Sequence, residues 1–169
     1  MRYAKVYGHD IVNGPGIRIS IFVQGCPIHC PGCFNSEAWD PDRGNRWTPD
    51  IQEQVFKLAE SEHINGLSIL GGEPLAPYNR DAVYDIIVAF KEKFPDKDIW
   101  LWTGYTMEML TFNSATYKKI FDNIDYIVTG PFVKEQKSNT IAFRGSSNQK
   151  IWRCDSDTYK DVSNEYDNA

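Results

Sequence analysis

Leu67-Ser68-Ile69-Leu70-Gly71-Gly72-Glu73-Pro74 is the stretch that decides the fold. A short apolar run closed by two glycines reads as a buried strand that stops abruptly at a turn. The same figure recurs downstream. Asp98-Ile99-Trp100-Leu101-Trp102 runs into Thr103-Gly104, and Asp125-Tyr126-Ile127-Val128 runs into Thr129-Gly130. Helical patterns lie between them. Asn79 to Phe94 places Val83, Ile86, Ile87 and Phe90 on one face and is stopped by Pro95. Shorter helical pieces follow near Thr106 and from Ser114 to Phe121.

Upstream, Ile17-Arg18-Ile19-Ser20-Ile21-Phe22-Val23 alternates as a half-buried strand does, after the turn residues Asn13-Gly14-Pro15-Gly16. Gln24 to Trp47 reads as irregular. Thr48-Pro49-Asp50 is a helix start, with a capping hydroxyl, a proline at the first helical position and an acid near the positive end of the dipole. Ile51, Val55, Leu58 and Ala59 then follow at helical spacing.

Strands alternating with helices predict an α/β fold of mostly parallel strands. A complete eight-unit β/α barrel takes about 250 residues. The 169 residues here hold only part of one, so the expectation is a partial (open) barrel. Ligands of parallel α/β folds sit beyond the carboxyl ends of the strands. The cysteine-bearing loop after Val23, the segment Gly71 to Pro74 and the segment Trp102 to Gly104 are therefore expected to share one mouth.

Composition narrows the function classes. Hydrophobic residues at 41% and charged residues at 24% exclude wholesale disorder. No apolar run approaches the roughly 18 residues of a membrane span, and Met1 to Val6 lacks a hydrophobic signal core. The expectation is a cytoplasmic protein without a membrane partner. The net charge is −5, and much of it sits at the end, where Asp155, Asp157, Asp161, Glu165 and Asp167 face one base, Lys160. The body is nearly neutral, so no nucleic-acid-binding face is expected. Residues 1–154 are expected to form a single domain and 155–169 an acidic, disordered tail.

Of four cysteines, Cys26, Cys30 and Cys33 are crowded at C-x3-C-x2-C spacing, while Cys154 is distant. Thiolates are soft ligands suited to zinc or iron–sulfur centres. A closed zinc site needs four protein ligands, which His29, His9 or Cys154 would have to complete. An iron–sulfur cluster on three thiolates would leave one iron open, as catalysis requires. Chance crowding or redox cysteines are the remaining reading.

The triplet followed by Gly71-Gly72-Glu73-Pro74 resembles the radical S-adenosylmethionine enzymes. Asp10-Ile11-Val12-Asn13-Gly14-Pro15-Gly16, Gly25 through Asn35, Lys97 through Tyr105, and Arg144-Gly145-Ser146-Ser147-Asn148-Gln149 narrow the resemblance to their small glycyl-radical activases, the anaerobic ribonucleoside-triphosphate reductase activating proteins. It covers about residues 5–153. Gly32 stands where many members of the wider superfamily carry an aromatic residue, an arrangement shared with the activases. Thr129 stands where relatives often have an acid, so no role of that acid carries over.

The resemblance implies a 4Fe-4S cluster held by Cys26, Cys30 and Cys33, which makes these three the catalytic and metal-binding residues. The open iron would bind S-adenosylmethionine. Gly71, Gly72, Glu73 and Pro74 would meet its methionine part, and Gly32, Cys33 and Phe34 its adenosyl part. Thr103 and Gly104 would complete the pocket. The product would be a 5′-deoxyadenosyl radical that takes a hydrogen atom from a glycine of the anaerobic ribonucleoside-triphosphate reductase. The wide mouth of a partial barrel would admit that polypeptide loop. An electron donor such as flavodoxin is implied as a second partner. Activation of a pyruvate formate-lyase type enzyme and a non-catalytic zinc module are the competing functions. Arg144 to Gln149 reads either as a turn on the surface or as a place where Arg144 meets a carboxylate of ligand or partner.

Overall fold

The structure, a computed structural model, describes residues 1–167. One sheet carries the chain. Its strands are β1 (Arg2–Asp10), β2 (Ile17–Val23), β3 (Asn45–Arg46), β4 (Ile64–Gly71), β5 (Asp98–Trp102), β6 (Tyr126–Thr129), β7 (Lys150–Asp155) and β8 (Thr158–Asp161), in the spatial order β3-β1-β2-β4-β5-β6-β7-β8. The helices are α1 (Pro49–Leu58), α2 (Arg80–Lys93), α3 (Met107–Phe112), α4 (Ser114–Phe121) and α5 (Ser163–Asp167).

The α/β class agrees with the sequence, but the expectation of mostly parallel strands needs correction. Only the central strands β2, β4, β5 and β6 pair in parallel. The flanking pairings β1·β2, β1·β3, β6·β7 and β7·β8 are antiparallel. Helical crossovers account for the parallel centre. A parallel neighbour requires a crossover of a dozen residues or more, usually a helix. Helix α1 lies between β2 and β4, α2 between β4 and β5, and α3 with α4 between β5 and β6. By contrast, the turn Ser156-Asp157, with Ser156 at φ 50°, folds β8 straight back on β7.

The helix starts follow their sequence signals. Thr48 Oγ1 accepts from the Ile51 N–H at 3.3 Å, with Pro49 in the first turn. Thr106 caps α3 in the same way. Helix α2 buries the face formed by Val83, Ile86, Ile87 and Phe90.

Strand alternation divides the sheet into two faces. Ile19, Ile21, Val23, Leu67, Ile69, Ile99, Leu101 and Ile127 join the buried faces of α1, α2 and α4 in the main core. The intervening residues point the other way. There Trp100 is fully buried with Val128, Ile151 and Val162, under the rings of Phe143 and Tyr166.

Arg18 lies on this second face with 0% of its side chain exposed. Its Nη1 ion-pairs with Asp98 at 2.7 Å and donates to Pro15 O at 3.2 Å, while its Nε donates to Ser68 Oγ at 2.8 Å. Ser68 Oγ donates onward to Asn13 O at 2.6 Å. The polar residues of alternating strands β2 and β4 thus tether the turn Ile11–Gly16 to the sheet.

The acidic segment departs from the expected disorder. Residues 155–167 complete β7 and form β8 and α5, and the expectation for residues 168 and 169 lies outside the described residues. Val162 and Tyr166, one helical turn apart among the acids, supply the reason. Val162 is buried, and the Tyr166 ring meets Trp100 edge-on at 5.3 Å. Cys154 sits in β7 against the main core, and burial pushes its thiol up to about 12. No helix among the described residues is long and apolar enough to cross a membrane.

Candidate metal centre

A cavity of about 590 Å³ opens at the carboxyl ends of β2, β4, β5 and β6, on the face away from the main core. The expected convergence is present. Cys26, Cys30, Gly32, Cys33 and Phe34 line it from the loop after β2, Gly71, Gly72 and Glu73 from the end of β4, and Thr103 and Gly104 from the end of β5. Pro74 is buried but does not line it.

The cysteine loop is stapled rather than loose. Gly25 N–H donates to Ala38 O at 2.7 Å, and Cys26 N–H to Trp39 O at 3.1 Å. Gln24, itself buried, donates from Nε2 to the carbonyls of Glu37 and Asp40, each at 2.9 Å. All three thiols are half-buried and unpaired in disulfides. Burial pushes the Cys26 and Cys30 thiols up, while backbone N–H groups of Ile28 and His29 favour the Cys26 thiolate and that of Phe132 the Cys30 thiolate. Asn35 N–H donates to Cys33 Sγ at 3.4 Å. Such N–H groups suit thiolates that carry a metal. Among the described residues no three His, Cys, Asp or Glu groups close around a single-ion site.

The further ligands considered for a closed site lie elsewhere. The His29 ring stacks on Trp39 with centroids 4.5 Å apart. Cys154 N–H donates to Asp125 O, which precedes β6, so Cys154 sits at the end of the sheet away from the cavity. His9 is exposed near the end of β1 and does not line the cavity.

Gly71 and Gly72 permit a close approach, but to the protein's own backbone. Gly71 has φ 107°, and a Cβ there would stand 2.8 Å from Phe22 Cα. A Cβ on Gly72 would stand 2.3 Å from Gly25 O. The two glycines let β4 end flush against the start of the cysteine loop, where Gly72 N–H donates to Val23 O and Glu73 N–H to Gly25 O, each at 2.8 Å.

Glu73 is not a turn acid facing solvent. It is 0% exposed, and its carboxylate accepts three hydrogen bonds. Oε1 takes the Leu75 N–H at 2.9 Å and the Thr103 hydroxyl at 2.7 Å, and Oε2 takes the Gly104 N–H at 2.8 Å. It therefore ties the end of β4 to the end of β5. Burial nonetheless pushes its carboxyl up to about 7. The same burial, with Glu73 nearby, pushes the Tyr105 phenol up to about 12.

Phe34 is 88% exposed at the rim, so it is not part of the core. Arg144 also lines the cavity, yet its guanidinium is already engaged by the chain's own Asp167. The wall also includes Asn13, Phe22, Leu70 and Phe132, which carry no role in the sequence reading, and Trp102, which that reading places at the mouth. Phe22, Leu70 and Trp102 were accessible from alternation, being the strand-end residues opposite the main-core set.

A family described as a 4Fe-4S single cluster domain matches residues 12–152. Among curated relatives, the anaerobic ribonucleoside-triphosphate reductase-activating protein of Vibrio cholerae is 39% identical over 155 residues, covering 90% of this chain and 98% of its own. The proteins of the same name from Escherichia coli K12 and Enterobacteria phage T4 are 37% and 36% identical, covering 89% and 90% of this chain and 97% and 94% of theirs. Full-length similarity of this order, joined to three thiols on one cavity wall, places the chain in the family of anaerobic ribonucleoside-triphosphate reductase-activating proteins.

Proposed function

We propose that this chain is a radical S-adenosylmethionine activase that installs a glycyl radical on anaerobic ribonucleoside-triphosphate reductase, the enzyme its relatives are named for activating. Cys26, Cys30 and Cys33 would hold a 4Fe-4S cluster, with S-adenosylmethionine bound beside it. That group would supply the electron for reductive cleavage of the sulfonium, and the target glycine would give up the hydrogen atom. The observation that carries this reading is the wall itself. It presents three half-buried thiols, while His29 stacks on Trp39 and neither His9 nor Cys154 lines the cavity, which supports a centre held by the three cysteines.

The chain's own residues bind and orient. Gly71 and Gly72 offer backbone at the ligand's methionine end. Glu73 holds Thr103 and Gly104 against them and keeps that wall rigid, with Pro74 behind it. Gly32, Cys33 and Phe34 bound the adenosyl end. A fixed geometry replaces a diffusional encounter between sulfur and iron. The apolar wall of Phe22, Leu70, Trp102 and Phe132 keeps water from a radical. The open barrel and the cytoplasmic location belong to the same reading, as does a flavodoxin-type electron donor.

Incubation of the reduced holoprotein with S-adenosylmethionine and the anaerobic reductase tests the assignment. An electron paramagnetic resonance doublet of a glycyl radical on the reductase is expected, with none on pyruvate formate-lyase treated identically. A radical on pyruvate formate-lyase alone, or on neither protein, refutes it.

A further inference from the structure

Arg144 to Gln149 takes no part in the chemistry above, yet its side chains converge on one neighbouring segment. Ser146 Oγ accepts from the Val133 N–H at 3.1 Å. Asn148 Nδ2 donates to Pro131 O at 2.8 Å, and Gln149 Nε2 donates to Gly130 O at 2.9 Å. The turn that offers these groups is itself closed. Gln149 Oε1 accepts from the N–H groups of Gly145 and Ser146 at 2.8 and 3.2 Å. Arg144 Nη1 donates to Gln149 O at 3.3 Å, and its Nη2 ion-pairs with Asp167 of α5.

The segment so held, residues 130–133, abuts the cysteine loop. Phe132 lines the cavity with Cys30. The next residue, Lys134, lays its side chain over Gly32, where a Cβ would come within 3.1 Å of Lys134 Cδ. A turn merely covering the surface would leave its polar groups in water, but Ser146 is fully buried. Asn148 adds a second argument. Its Oδ1 is buried without a partner among the described residues. An unsatisfied buried acceptor is unfavourable, and an apolar side chain of the same shape avoids it. The bond that this side chain does make is the one that holds Pro131 O.

We propose that Ser146, Asn148 and Gln149 are positioning residues that clamp residues 130–133 against the cysteine loop and thereby fix the surroundings of the Cys30 sulfur in the bound cluster. The inference rests on the cluster reading given under Proposed function. Backbone N–H groups near cluster sulfurs stabilise the reduced, more negative state, and hydrogen bonds to the sulfurs are among the determinants of cluster potential. Release of the segment makes reduction harder.

The test is an anaerobic redox titration of the holoprotein, followed by electron paramagnetic resonance, for wild type, Asn148→Leu, Ser146→Ala and the control Ser147→Ala. Ser147 is exposed, and its hydroxyl reaches Gln136 at 3.5 Å. Asn148→Leu and Ser146→Ala are expected to keep the iron content near wild type and to lower the melting temperature by a few degrees, because Pro131 O and the Val133 N–H lose their partners. At the wild-type midpoint their oxidised-to-reduced ratio shifts about tenfold towards oxidised, about 59 mV for one electron. Ser147→Ala titrates as wild type. The two variants act on different residues of the segment, so either one suffices should the other fail to fold. Wild-type midpoints in the folded variants overturn the clamp and leave the activase reading intact. A wild-type protein that takes up no cluster overturns the activase reading first, and the clamp with it.

Discussion

Glu73 makes the chain less stable as pH rises through neutrality. Its carboxyl has an ordinary value of 4.5 and is pushed up to about 7 by burial in the folded state. The unfolded chain ionises first, so between these values the folded state holds the extra proton. Stability then falls with rising pH, and levels off above pH 7 once both states are ionised. A shift of about 2.5 units at about 1.4 kcal/mol per unit gives a loss of about 3 kcal/mol over the whole window, of which about 2–3 kcal/mol falls between pH 5 and pH 8. For a chain of this size that is about 5–10 °C in melting temperature. The assay is thermal unfolding by circular dichroism, before iron is added, on wild type and Glu73→Gln from pH 5 to pH 8. Glutamine cannot ionise, so the variant lacks this part of the slope. Its amide –NH2 must face one of the donors that the carboxylate now accepts from, which costs about 1–3 kcal/mol independent of pH. All other titrating groups are shared, so the difference between the two profiles isolates Glu73. Parallel profiles would refute the reasoning.

Further outcomes follow from the same geometry. Alanine at Cys26, Cys30 or Cys33 abolishes both iron retention and S-adenosylmethionine cleavage, whereas Cys154→Ala keeps the iron, measured by metal analysis after anaerobic reconstitution. Gly72→Ala places a methyl 2.3 Å from Gly25 O, so it destabilises the chain by about 1–3 kcal/mol and lowers iron uptake, measured by urea unfolding and iron content. Truncation after Asp161 removes Val162 and Tyr166 from Trp100, which red-shifts tryptophan emission and lowers the melting temperature.

The parallel centre of the sheet was legible because its strands bury one or both faces and its helices show a single apolar stripe. Leu67 to Leu70 and the Val83–Phe90 face read directly from period. The antiparallel flanks were not. In β1 and β7 both faces are partly exposed, so Lys150 to Asp155 shows neither clean alternation nor a continuous apolar run. In the tail, charge dominated the composition and hid Val162 and Tyr166, whose helical spacing was the available signal.

At the site, the cysteine spacing announced itself because its ligands are neighbours in sequence. The burial of Glu73 and its role as a tie did not, since an acid is ordinarily exposed and its donors Thr103 and Gly104 come from another strand end. The partner of Arg144 was equally out of reach, because Asp167 arrives from a helix on the far side of a hairpin. Non-local convergence of polar groups is set by the finished topology, which local patterns do not encode.

The most direct test is chemical analysis of the anaerobically purified chain, with methionine release from S-adenosylmethionine scored under dithionite. The account predicts about four iron and four sulfide per chain and methionine formed only when the reductant is present. A single zinc ion per chain, or a full cluster beside intact S-adenosylmethionine, contradicts it.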